Sequence, residues 1–177
     1  MIQIWTDGAS EPTNPGPSGY GFYILFPDFS IYQNSGGFQI STNQRMELFA
    51  AIAALVDLDP REEEIRVFSD SMYLIRGMTN WVKSWKKKNW RRKPALKNVD
   101  LWKWLDELTT KKHMRTSFHH VKGHSGIYEN ELVDRLANEA CTKPHNPPDP
   151  GYQLRPGQIL YDHTRFSRKQ PRDYKDL

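Results

Sequence analysis

The run LFAAIAALV at residues 48–56 constrains this chain more than any other stretch. Nine consecutive apolar residues rich in Ala and Leu read as a helix that is hydrophobic all round and therefore buried. Ser41 and Gln44 have the spacing of a capping box, which predicts a helix start at about Ser41. Glu47 then lies past the first turn, too deep to cap the helix. On a wheel of about 100° per residue it falls among Ala50, Ala51 and Ala54, away from Leu48, Phe49, Ile52, Leu55 and Val56. A carboxylate there is costly unless a cation or a hydrogen-bond network compensates it. The alternative is a solvated edge position.

Around this helix the chain alternates in kind. Residues 2–6 form a β-rich run that stops at the turn signal Asp7-Gly8, and residues 8–18 read as loop. Two strand-like runs follow at 20–26 and 31–38, which predicts an antiparallel meander. After the helix come a fourth strand at 65–69 and a short helix from Ser71 to about Met78. An amphipathic helix is expected at 100–110, a fifth strand at 116–121 and a last helix at 129–142. The expected fold is α/β: a five-stranded mixed sheet, three antiparallel strands then two parallel, flanked by helices. A right-handed crossover would lay strand 65–69 parallel to strand 2–6. Asp7 and Asp70 would then sit at the same edge of neighbouring strands, about 5 Å apart in backbone terms.

Length and charge narrow the class. At 177 residues the chain suits one domain with an appendage. The net charge of +4 is modest, so a nucleic-acid partner must be argued from charge distribution. One cysteine, Cys141, excludes an intrachain disulfide and a cysteine-based zinc site. No apolar run reaches membrane-spanning length and MIQIWTDG has no leader pattern, so a soluble cytoplasmic protein is expected, with no membrane partner. Residues 71–99 hold no Asp or Glu but carry Lys83, Lys86, Lys87, Lys88, Arg91, Arg92, Lys93 and Lys97. Five of the six tryptophans crowd the same region or its edge, Trp81, Trp85, Trp90, Trp102 and Trp104. Aromatics interleaved with an acid-free basic run are the footprint of a phosphate-backbone grip, against the alternative of a solvated charged hairpin. Trp102 and Trp104 read as core.

Glu47 can point at the edge shared by Asp7 and Asp70, and Asp134, on the last helix one turn after Asn130, is a fourth acid. Converging carboxylates repel at about 4 kcal/mol per 4 Å pair at an effective dielectric near 20. Such a cluster raises its pKa values or binds cations, and an all-oxygen set suits Mg²⁺ or Mn²⁺ over Zn²⁺. Singly, Asp7-Gly8 is a common turn, Asp70 a common helix cap and Asp134 an ordinary solvated residue. His119 and His120, at the end of a strand, read as structural.

The segments TDGASEPTNPGPSGYG, STNQRMELFAAIAAL, VFSDSMYLI, WVKSWKKKNW, LKNVDLW and VKGHSGIYENELVDRLA follow one another in order. Together they resemble the type 1 ribonuclease H family over residues 1–142. The resemblance implies an RNase H-like fold and an endoribonuclease that hydrolyses the RNA strand of RNA–DNA hybrids, giving 5′-phosphate and 3′-hydroxyl ends. It implies two Mg²⁺ ions, with Mn²⁺ as a substitute, held by Asp7, Glu47, Asp70 and Asp134. One ion would activate the attacking water and the other would stabilise the leaving 3′-oxygen. His124, in the loop KGHSG, matches the histidine that assists proton transfer or product release. Gly8, Asn14, Asn43, Gln44 and Ser71 match contacts to the minor groove, whose 2′-hydroxyls distinguish RNA from DNA. Thr42 with Asn43 would hold a DNA-strand phosphate. Trp81, Trp85, Lys86, Lys87 and Lys88 fall in the family's basic protrusion, and Asn130 completes the expected substrate contacts. Two departures stand out. The loop before Asn14 is one residue longer than the common spacing, and Met72 replaces a frequent Gln, removing a hydrogen bond of about 1 kcal/mol.

Other functions on this fold are a non-catalytic hybrid-binding module and a DNA-cutting relative. All four acids are present, which weighs against the first; the basic protrusion and the TNQRMEL helix weigh against the second. A monomer without a small-molecule cofactor is expected. The expected boundary is a catalytic domain at 1–143 and a proline-rich extension at 144–177, which holds six of the chain's twelve prolines. Ile159, Leu160, Tyr161 and Phe166 offer it a means of docking.

Overall fold

A computed structural model describes residues 1–59 and 63–152. Ile159, Leu160, Tyr161 and Phe166 lie outside the described residues. Strands β1 (Ile2–Ser10), β2 (Gly16–Leu25) and β3 (Ile31–Ser41) form the meander, followed by helix α1 (Asn43–Asp57) and strand β4 (Ile65–Ser69). Helices α2 (Met72–Arg76), α3 (Val82–Lys87) and α4 (Val99–Glu107) precede strand β5 (Thr116–His120) and helix α5 (Tyr128–Cys141). The sheet order is β3-β2-β1-β4-β5, antiparallel across β3-β2-β1 and parallel across β1-β4-β5. This is the expected five-stranded mixed sheet.

Strand alternation assigns the two faces. Ile2 and Ile4 of β1 join Phe22 and Ile24 of β2 under α1, while Trp5 and Tyr23 turn to the other face and pack with Leu132 and Val133 of α5. Helix α1 buries eleven residues from Arg45 to Leu55, all the way round, because the sheet covers one side and α4 another. Each buried Leu, Ile or Phe contributes about 1.5–3 kcal/mol, which is what lets this helix host charges. Lys112 closes its far end, donating to the carbonyls of Leu55, Val56 and Leu58 at 2.8–3.3 Å.

Three local readings are corrected. β1 does not stop at Asp7-Gly8: pairing with β2 continues to Ser10↔Ser18, so only residues 11–15 form the connecting loop and Asp7 lies within a strand, opposite Gly21. Local turn propensity is overridden there by the ladder. Helix α1 starts after Thr42, whose Oγ1 accepts from Arg45 N at 3.3 Å, and not at Ser41. The Ser41 hydroxyl is engaged elsewhere, donating to Asp149 at 2.5 Å. The helix expected to end near Met78 instead continues through a π-helical segment, Gly77–Trp81, into α3. Ring contacts hold this extension, with Trp81 on Tyr73 and on Trp85, and Trp85 on the fully buried Trp102.

One close approach positions everything that follows. A Cβ on Gly8 would collide with Glu47 N and the Met46 carbonyl carbon, so glycine lets β1 touch the α1 backbone one residue after Asp7. Gly8→Ala is therefore expected to destabilise the protein by about 1–3 kcal/mol, the usual cost of overpacking, read as a lower urea midpoint with an unchanged slope.

Candidate active site

The parallel register runs Ile2↔Ile65 to Trp5↔Phe68, and the same offset carried two residues on brings Asp7 beside Asp70. Glu47 comes down from α1 above them. Carboxylate oxygens of Asp7, Glu47 and Asp70 all lie within 4.8 Å of one another. Asp7 and Glu47 are buried, at 7% and 6% exposure, and Asp70 is half-buried. Gly8 N–H donates to Asp7 Oδ1 at 2.7 Å. Glu47 Oε2 is buried and has no hydrogen-bond partner among the described residues.

Asp134 is not one of the three acids whose oxygens converge within 4.8 Å, but its negative charge is close enough to raise the Asp7 carboxyl. Its own helix fixes it, since Asn138 Nδ2 donates to Asp134 Oδ1 at 3.0 Å. Helix α5 can lie this close because β2 carries Gly21, where a Cβ would stand 2.7 Å from Leu136 Cβ and 2.8 Å from the Val133 carbonyl. Asn130, one turn before Asp134, is buried with its Oδ1 unpartnered. The cluster thus has a second buried oxygen with unused capacity nearby.

Burial, then the neighbouring Asp70 and Asp134 carboxyls, push the Asp7 carboxyl up to about 8, against the pull of the Gly8 N–H. Burial, then Asp7 and Asp70, raise Glu47 well above the usual carboxylate range. Such a site demands protons or cations. The donor set is oxygen only and one oxygen is left bare, so the residues present fit a hard divalent cation such as Mg²⁺ or Mn²⁺.

The remaining predicted residues fall into three places. His124 sits exposed on the loop after β5 with φ 49°, and that loop passes the cluster closely, a Cβ on Gly123 standing 2.6 Å from Asp70 Oδ2. Gly8 lies in β1 next to Asp7, Asn14 in the loop after it, Thr42 and Asn43 at the start of α1, and Ser71 just after Asp70. Asn14 Oδ1 accepts from Asn43 N at 3.2 Å, while Thr42 caps α1 and Ser71 caps α2. Gln44 is exposed and joins Tyr73, Trp81, Trp85, Arg92 and Lys97 in lining a groove of about 380 Å³. Lys87 and Lys88 are exposed beyond it, whereas Lys86 is held by Asp106 at 2.8 Å. Tyr73, Arg92 and Lys97 are not among the predicted site residues, although all three fall within the acid-free run. Trp102 and Trp104 are core, as expected, and His119 bonds Ser117 Oγ at 2.9 Å and rests on Phe68. The buried ion triad of Arg45 with Asp100 and Asp149 has no counterpart in the sequence reading; its one local signal is a cation two residues before Glu47 in an apolar helix.

Comparison with known proteins agrees with this geometry. The RNase H family matches residues 1–142. The ribonuclease H of Aeromonas salmonicida (strain A449) is 43% identical over 155 residues, covering 86% of this chain and 97% of that protein. The ribonuclease H of Legionella pneumophila (strain Corby) is 45% identical over 139 residues, 77% of this chain and 94% of that protein. Among solved structures, LC11-RNase H1 in complex with RNA/DNA hybrid shares the fold with a TM-score of 0.62 at 24% identity, over 80% of this chain and 96% of that one.

The raised Asp7 value sets a pH dependence for the metal-free protein. Its folded value of about 8 lies above the ordinary 3.8, so the folded state holds the extra proton between these limits. Stability is then greatest at the acidic side of this window and falls as pH rises toward 8, at up to about 1.4 kcal/mol per pH unit for each proton lost. Urea unfolding across pH 5–9 should show this slope in the wild type, a shallower one in Asp7→Asn, and a stabilisation by Mg²⁺ that grows with pH.

Proposed function

This chain belongs to the RNase H family, and on that footing we propose that it is a metal-dependent endoribonuclease that hydrolyses the RNA strand of RNA–DNA hybrids in the cytoplasm, acting as a monomer and leaving 5′-phosphate and 3′-hydroxyl ends. One observation carries the reading: three carboxylates converge within 4.8 Å around a buried Glu47 oxygen that the protein itself leaves without a partner. An acidic cluster so costly to the folded protein is retained for what it binds.

Asp7, Glu47, Asp70 and Asp134 would hold two divalent ions, Mg²⁺ or its substitute Mn²⁺. When bound, the ions supply Lewis-acid stabilisation of the attacking water and of the leaving 3′-oxygen. The protein's part is to fix four carboxylates on four elements, β1, α1, the end of β4 and α5, so that little reorganisation is needed when charge develops. His124 stands beside this site on an exposed loop, where its ring can accept and release a proton and still exchange with solvent. Gly8, Asn14, Asn43, Gln44 and Ser71, with Asn130, would contact the wide minor groove and its 2′-hydroxyls. Thr42 and Asn43, at the start of α1, suit a DNA-strand phosphate, helped by the positive end of a 15-residue helix. Trp81, Trp85, Lys86, Lys87 and Lys88 extend the surface away from the acids, as a grip on the DNA strand.

A labelled hybrid should be cut with Mg²⁺ or Mn²⁺ and a DNA-only duplex should not. Asp70→Asn should lower turnover by about 10³-fold, equal to some 4 kcal/mol of transition-state stabilisation, and leave hybrid binding intact. Binding without cleavage by the wild type, with either metal, would identify a hybrid-binding module instead. In the basic protrusion, Lys87→Ala and Lys88→Ala should each lessen the salt dependence of hybrid affinity by about one unit of slope. Lys86→Ala should change it less, because Asp106 already neutralises that ammonium.

A further inference from the structure

Residues 146–151, beyond the 1–142 span matched by the family, run across the body as a strap. Asn146 Nδ2 donates to the Ala140 carbonyl at the end of α5 (2.8 Å), and the Pro147 carbonyl accepts from Gln39 N on β3 (2.9 Å). Asp149 then enters the interior. Its carboxylate accepts from Ser41 Oγ at 2.5 Å, from Arg45 Nε at 2.7 Å and Nη2 at 3.1 Å, and from Gly151 N at 2.9 Å. Arg45 offers its other edge to Asp100, two bonds of 3.1 and 2.9 Å. The side chains of Arg45, Asp100 and Asp149 are 3%, 5% and 1% exposed.

The strap's partners are placed in a telling way. Gln39, Ser41 and Arg45 bracket the turn Thr42-Asn43-Gln44. Asp100 lies in the first turn of α4, three residues after Lys97, which with Leu96 walls the groove that Gln44, Trp81 and Trp85 share. Arg45 is therefore the common tie between the turn at the minor-groove rim and the Trp-lined groove. Buried ion pairs contribute little net stability compared with apolar residues of the same volume, since desolvation offsets their attraction. What a guanidinium held on two edges by two carboxylates does supply is fixed geometry.

We propose that Asp149 is a positioning residue for substrate binding: through Ser41 and Arg45, the strap sets the substrate-reading turn at a fixed distance and angle from the Trp-lined groove. This rests on the hybrid-cleaving reading above. Neither Asp149 nor Ser41 touches substrate; each acts through the backbone it holds.

The test uses full-length Asp149→Asn and Ser41→Ala, the second removing a single hydroxyl and so certain to leave the charges in place. Hybrid cleavage kinetics and metal-free hybrid affinity are measured at a temperature where circular dichroism shows each variant folded. KM and Kd should rise together, about threefold for Ser41→Ala and about tenfold for Asp149→Asn, with kcat within about twofold of wild type. Lys143→Ala, which removes a contact to Ser35 away from the turn, should leave both constants unchanged. Unchanged KM and Kd with only a lowered Tm, or a fall in kcat at constant KM, would overturn the proposal and leave the strap a stabilising contact. A wild type that neither binds nor cleaves hybrid would instead overturn the enzymatic reading, which keeps the two failures distinct. Should Asp149→Asn not fold, Ser41→Ala alone decides.

Discussion

The contact on which the structure turns is that between the backbone of β1 at Gly8 and the backbone of α1 at Met46 and Glu47. A side chain at position 8 would hold strand and helix apart. With glycine there, the strand carries Asp7 and the helix carries Glu47 to the same spot, while the parallel register of β4 brings Asp70 in from the side. The apolar bulk of α1, from Leu48 to Leu55, then anchors the helix so firmly that the carboxylate cannot swing out into water. The acidic cluster is thus a consequence of core packing, and its position is as rigid as the core itself.

That rigidity has an electrostatic cost. Desolvation and mutual repulsion drive Asp7 up to about 8 and Glu47 upward as well, so the metal-free protein carries protons that it would give up to a divalent cation. The remaining charge is distributed to complement this. A run of positive side chains lies on α3 and the segment after it, where residues 71–99 hold no acid, and the tilted rings of Trp81, Trp85 and Trp90 contact one another in sequence there. The unpaired, buried acids converge at one site, and an acid-free basic run lies at residues 71–99. A polyanion is drawn to the basic run and approaches the acids only where cations screen them.

Much of this was legible in the sequence. The nine-residue apolar run announced a buried helix, and the crossover rule then gave the parallel pairing that sets Asp7 beside Asp70. What escaped detection depended on distant partners. The turn signal Asp7-Gly8 gave way to a ladder with β2 that no local window contains. Ser41 looked like a cap because its hydrogen-bond acceptor, Asp149, lies more than a hundred residues away. Tryptophans at 81 and 85 have helical spacing, yet the helix that carries them past Gly77 is held by Trp102 and Tyr73. In each case the deciding interaction is long-range, and propensity yields to it.

Arg45 and Glu47 are two buried charges separated by one residue on the same helix, and the fold treats them in opposite ways. Every direction of the Arg45 guanidinium is answered, by Asp100 along one edge and Asp149 along the other. Among the described residues Glu47 has no cation beside it, only other carboxyls, and one of its oxygens has no partner. Both sites are equally inaccessible to bulk water, so burial cannot explain the difference. A charge that serves the architecture is satisfied by the architecture, because leaving it bare would cost several kcal/mol with nothing gained. A carboxylate left bare in an equally well-packed helix makes sense only if its partner arrives from outside. The contrast within one turn of α1 separates the residue that holds the surface in shape from the residue that the surface exists to serve.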